Sequence, residues 1–78
     1  MRYILFCKKT CPYCIKAHQF LADRDENYKV INFEKEQYAV LEEIKKAYEW
    51  KTVPMVFSRD GDAIQFIGGY TDLVNYFN

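Results

Sequence analysis

No run of apolar residues in this chain approaches the roughly 20 needed to span a bilayer. Nor does a basic excess mark it as a nucleic-acid binder, because 11 Lys and Arg balance 11 Asp and Glu. The apolar stretch in "MRYILFC" is too short for a secretion signal and runs straight into lysines, so no leader is expected. Three cysteines are too few, and the wrong parity, for a secreted disulfide framework. Repeats, linkers and low-complexity segments are missing as well. What is left reads as one domain over residues 1–78, half of it apolar, with a core that needs no staples. The expected setting is cytoplasmic, where thiols stay reduced unless they are being used.

The pattern alternates strands and helices. Tyr3 to Phe6 and "YKVINF" (Tyr28 to Phe33) are rich in β-formers. Between them Pro12 suits the first position of a helix, where a missing N–H costs nothing. Cys14, Ala17, His18 and Leu21 then fall on one face, and Asp23 to Asn27 end that helix. A second helix is expected to turn Val40, Leu41, Ile44, Ala47 and Tyr48 inward, with Glu36, Glu42, Glu43, Lys45 and Lys46 solvated outside. "PMVFS" (Pro54 to Ser58) and "AIQFI" (Ala63 to Ile67) read as a hairpin around Asp60-Gly61. Gly68-Gly69 breaks the last strand. Thr71 is expected to cap a short final helix that turns Leu73, Val74 and Phe77 inward. The order is β-α-β-α-β-β-α, an α/β fold with a four-stranded mixed sheet covered by three helices.

Two cysteines with only Pro and Tyr between them, at a strand-to-helix junction, point to redox chemistry. With Pro12 first in the helix, Cys11 takes the N-cap, beside unpaired N–H groups and the positive end of the helix dipole. Lys8, Lys9 and Lys16 add positive charge nearby. These influences favour a thiolate, so Cys11 is the expected nucleophile with a lowered pKa. Cys14, about one turn further in, suits the resolving thiol. A zinc site competes for the same residues, since Cys7, Cys11, Cys14 and His18 give C-x3-C-x2-C-x3-H. It is the weaker reading, because structural zinc usually joins two separated ligand pairs, and no metal is expected. Cys7 then reads as a small buried hydrophobe and His18 as a packed helix residue. A purely structural Cys11–Cys14 bridge would close too short a loop to remove much chain entropy.

Two further motifs sharpen the picture. "CPYC" (Cys11 to Cys14), "TVP" (Thr52 to Pro54) and "GGYTD" (Gly68 to Asp72) occur in this order, and with them the chain resembles the glutaredoxins, dithiol members of the thioredoxin superfamily. The resemblance covers essentially the whole chain and implies a thioredoxin fold. It implies a cis Val53–Pro54 bond facing Cys11, whose exposed backbone can pair with an extended peptide. It implies glutathione as co-substrate, with no tightly bound cofactor. Its cysteinyl part would lie against Val53, flanked by Thr52, Pro54 and Tyr70. The γ-glutamyl carboxylate would sit on the Thr71 and Asp72 N–H groups, and the Asp72 carboxylate would meet the ammonium. Lys8 would meet the glycyl carboxylate, with Lys51 a second candidate cation, and Tyr13 would wall the groove.

The implied activity is glutathione-dependent reduction of protein–glutathione mixed disulfides and protein disulfides by a monomer. The resemblance suggests ribonucleotide reductase among the partners, and no nucleic acid or membrane. Two other readings stay open: a thioredoxin-like disulfide reductase served by a flavoenzyme, and an iron–sulfur cluster carrier, against which Pro12 argues. Met55 stands where many relatives have Gln, and Trp50 before "KTVP" is unusual, reading as packing over the loop.

Overall fold

The computed structural model describes all residues, Met1 to Asn78. Strand β1 (Arg2–Lys8) leads to helix α1 (Pro12–Asp23), strand β2 (Tyr28–Phe33), a single 3₁₀ turn (Lys35–Gln37) and helix α2 (Tyr38–Ala47). Strands β3 (Met55–Asp60) and β4 (Ala63–Gly68) and helix α3 (Tyr70–Tyr76) complete the chain. The four strands form one mixed sheet in the order β2-β1-β3-β4. β1 runs parallel to β2, with Leu5 opposite Val30, and antiparallel to β3, with Leu5 opposite Val56.

Strand alternation divides the core between the two faces. Tyr3, Leu5 and Cys7 of β1 turn one way and, with Val56, bury Cys14, Ala17 and Leu21 of α1 and Leu73 of α3. Ile4 and Phe6 turn the other way, where Phe33, Leu41, Met55 and Phe57 form the second cluster. Fully buried leucines on each face, Leu21 and Leu41, contribute about 1.5–3 kcal/mol apiece. Cys14 is thereby tied to the central strand through α1.

Three local expectations need correction. In α2 the sheet takes Leu41 and half-buried Ile44, and Tyr48, though partly exposed, packs its ring on Phe57 and Phe66, while Val40 and Ala47 are exposed. Lys45, expected in solvent, is buried: its apolar stem packs inward and its ammonium bonds the exposed Glu42 carboxylate at 2.9 Å. The hairpin turns on Gly61-Asp62 rather than Asp60-Gly61, since Asp60 pairs with Ala63 and Gly61 adopts the positive φ. The last helix begins at Tyr70, with Gly69 at its N-cap, so Thr71 sits within the first turn and does not cap it.

Both long helices end alike. After α1, Glu26 N–H bonds the Leu21 carbonyl and Asp25 N–H that of Ala22; after α2, Trp50 bonds Lys45 and Glu49 bonds Lys46. These paired closures require a left-handed residue, which is Asp25 (φ 56°) in one and Glu49 (φ 53°) in the other. The second closure swings Trp50 and the segment after it toward the start of α1.

Candidate active site

Cys11 is the N-cap of α1, in extended conformation with Pro12 immediately inside the helix. This local geometry follows from proline's fixed φ and missing donor. The half-exposed Cys11 thiol donates to the carbonyl oxygen of Val53, 3.5 Å away and 42 residues along the chain. The Val53–Pro54 bond is cis. Cys14 is buried one turn deeper, on the face of α1 that meets β1. All three cysteines are free thiols.

The electrostatics overturn one expectation. In the reduced protein burial pushes the Cys11 thiol up, and its hydrogen-bonding contact with Cys14 adds to this. The backbone N–H groups of Cys14 and Tyr13 do pull it down, as a helix start should, but burial is the larger influence. The sequence could not reveal this, because the burial depends on a loop brought in from the far half of the chain. Cys14 is held far higher, first by its hydrogen bond with Cys7 and then by burial. Their mutual contact raises Cys11 and lowers Cys14, but Cys7 and burial keep Cys14 the higher of the two. Cys11 loses its proton first.

A groove of about 310 Å³ lies beside the Cys11–Val53 contact. Tyr13, Thr52, Val53, Pro54, Tyr70, Thr71 and Asp72 all line it, bringing together side chains from α1, the loop before β3 and the start of α3. Tyr13 and Tyr70 lean toward one another, ring centroids 6.1 Å apart. The Asp72 carboxylate accepts a hydrogen bond from the Gly69 N–H at 2.9 Å and so fixes the start of α3. Lys8 is not in this groove: its ammonium lies 4.5 Å from the centre of the Tyr38 ring. Lys16 similarly rests over Tyr13 at 4.9 Å.

Two groove residues were missed as site residues. Gly69 is buried at the groove wall, and Trp50 lies 3.5 Å from where a Gly69 side chain would begin. The indole also meets Phe66 edge-on at 5.2 Å, and its Nε1 is buried without a hydrogen-bond partner. The glycine pair was a legible signal for close approach; the tryptophan carried none. No group of three or more His, Cys, Asp or Glu side chains converges to hold a metal ion.

A CxxC pair opening a helix, against a cis-proline loop on a four-stranded mixed sheet, defines a dithiol protein of thioredoxin fold. The glutaredoxin family model matches residues 3–64, and the chain belongs to the glutaredoxin family. It is 35% identical over 75 residues to Glutaredoxin 1 of Rickettsia typhi, covering 92% of this chain and 66% of that protein. To the mitochondrial Glutaredoxin-2 of Homo sapiens it is 32% identical over 71 residues, 88% of this chain and 41% of the relative. The chain thus spans under half the length of the mitochondrial relatives. Among solved structures, a Brucella melitensis glutaredoxin superposes with TM-score 0.70 at 25% identity, over 99% of this chain and 78% of that one. Glutaredoxin 1 of Francisella tularensis gives TM-score 0.67 at 20% identity over 97% and 91%, a likeness of fold. No helix is long and apolar enough to cross a membrane.

Proposed function

We propose that the protein is a glutathione-dependent thiol–disulfide oxidoreductase acting on protein–glutathione mixed disulfides and on protein disulfides. The observation that carries this reading is the Cys11 sulfur, half-exposed at the start of α1 and 3.5 Å from the Val53 carbonyl beside a groove sized for a small peptide. Cys11 thiolate attacks the glutathione sulfur of a mixed disulfide. The old S–S bond breaks, and the protein leaves as a thiolate that takes up a proton. A second glutathione thiolate then attacks the glutathione sulfur held on Cys11, releasing oxidised glutathione and free Cys11. With protein disulfides, Cys14 attacks Cys11 instead, expels the partner thiolate and closes the intramolecular disulfide. The order of the two thiols supports these roles, since Cys14 keeps its proton while Cys11 reacts.

The groove supports the pose as well. The first N–H groups of α3 have no partner inside the helix and suit the γ-glutamyl carboxylate. Asp72 engages Gly69 through Oδ2, which leaves its other oxygen for the ammonium. Lys8 would meet the glycyl carboxylate by swinging off the Tyr38 ring. Thr52, Val53, Pro54 and Tyr70 would bracket the cysteinyl segment, with Tyr13 as the outer wall. The reading makes the protein a monomer working in a reducing, cytoplasmic compartment, where thiols stay reduced between turnovers.

The test is the reductant. Reduction of a small glutathione mixed disulfide should proceed when glutathione, NADPH and glutathione reductase are supplied together, and stop when glutathione is omitted. Turnover driven equally well by a thioredoxin-type flavoenzyme without glutathione would reject the proposal.

A further inference from the structure

Cys7 is the one thiol that this scheme leaves idle. It is buried near the end of β1, and strand alternation turns it, with Tyr3 and Leu5, toward α1. Cys14 comes down from α1 onto the same cluster. A second cavity, of about 300 Å³, opens beside α1 on the side of β2. Its walls carry Cys7, Cys11 and Cys14 together, with Lys8 and Lys9. Cys7 and Cys14 are buried in the same cluster, and Cys11 packs against it from the start of α1. Cys11 instead directs its thiol toward Val53. A buried cysteine placed only for packing would not need to meet a second thiol beside an opening to solvent.

We propose that Cys7 is a third redox thiol, which exchanges with the Cys11–Cys14 disulfide to form a buried Cys7–Cys14 disulfide and return Cys11 to the reduced state. Cys7, as thiolate, attacks the Cys14 sulfur. The Cys7–Cys14 bond forms, the Cys11–Cys14 bond breaks, and Cys11 leaves as the thiolate. The proton lost by Cys7 passes to solvent in the cavity, so the exchange is neutral in electrons and needs no oxidant beyond the disulfide already made. The consequence is a protein that holds an oxidising equivalent internally while its exposed nucleophile stays free to react. This rests on the glutathione reading only for the source of the first disulfide.

The sequence supplies a clean readout. Trypsin cuts after Lys8, Lys9 and Lys16, so Cys7 ends in the peptide Tyr3–Lys8, while Cys11 and Cys14 share Thr10–Lys16. Protein oxidised with diamide, blocked with N-ethylmaleimide in denaturant at mildly acidic pH and digested without reductant should yield the two peptides joined. Fragmentation should place the bond at Cys14 and the alkyl group on Cys11. Cys11→Ser should keep the joined species, and Cys14→Ser should lose it completely. If Cys7 is fully alkylated in the wild type after complete oxidation, or if the joined species survives Cys14→Ser, the proposal is overturned. Should a variant fail to fold, fragmentation of the wild-type digest decides alone. Diamide oxidises thiols without glutathione, so this result is independent of which reductant the enzyme uses.

Discussion

Asp72 and Gly68 occupy each other's space: a Cβ on Gly68 would stand 2.5 Å from Asp72 Oδ2, the oxygen that bonds the Gly69 N–H. Gly68 also has φ +129°, a conformation that side chains rarely adopt. The turn from β4 into α3 is therefore built around the absence of a side chain, and the same carboxylate that closes it borders the groove.

Gly68→Ala should cost about 1–3 kcal/mol from backbone strain alone, and displace Asp72 from Gly69. Chemical denaturation would measure the first effect, and a raised KM for glutathione the second. A variant with wild-type stability would show that the turn relaxes freely.

Asp72→Ala separates the structural and binding roles of this carboxylate. Loss of one helix-start hydrogen bond should cost about 1 kcal/mol in stability. If Asp72 also meets the glutathione ammonium, KM for glutathione should rise about tenfold or more while kcat changes little. An unchanged KM would confine Asp72 to capping.

Much of this architecture was legible because its signals are local. Alternating apolar residues, Pro12 after Cys11 and the Gly68-Gly69 break each act within a few positions, and they sufficed for the element order and the sheet. The misreadings arose where distant contacts decided between local options. Both Val40 and Leu41 fit a helical stripe, but only packing against the sheet selects Leu41, Ile44 and the stem of Lys45. Thr71 and Asp72 both suit a helix start, and Asp72 prevails because its carboxylate reaches Gly69. The state of Cys11 depends on the Val53–Pro54 loop folding over it, which no reading of "KKTCPYC" contains.

The raised Cys14 thiol predicts loss of stability in alkali. In the unfolded chain this thiol ionises near about pH 8.5, whereas in the reduced fold it stays protonated well beyond that. Above the unfolded value the native state binds more protons than the unfolded state, so stability falls as pH rises. Below it both states are protonated and nothing is lost. Thermal melts of the reduced wild type should decline between about pH 8 and 10, and Cys14→Ser should flatten that decline. Cys11 and Tyr3, also raised by burial, leave a residual slope in that variant. Parallel curves for the two proteins would contradict the assignment.

Glu49 holds a left-handed conformation at φ 53° to close α2, a position that glycine fills without strain. Glu49→Gly should raise stability by about 0.5–1 kcal/mol, the strain relieved less the added chain entropy of glycine. The denaturation midpoint should rise at constant slope. No gain would mean that the glutamate contributes something its exposed position does not show.

The most direct measurement compares Cys11→Ser with Cys14→Ser in glutathione-dependent reduction of a mixed disulfide, followed by NADPH consumption through glutathione reductase. The account predicts no turnover without Cys11, and turnover of the same order as wild type without Cys14, because a second glutathione can take over release. Equal loss in both variants, or activity surviving removal of Cys11, would contradict it.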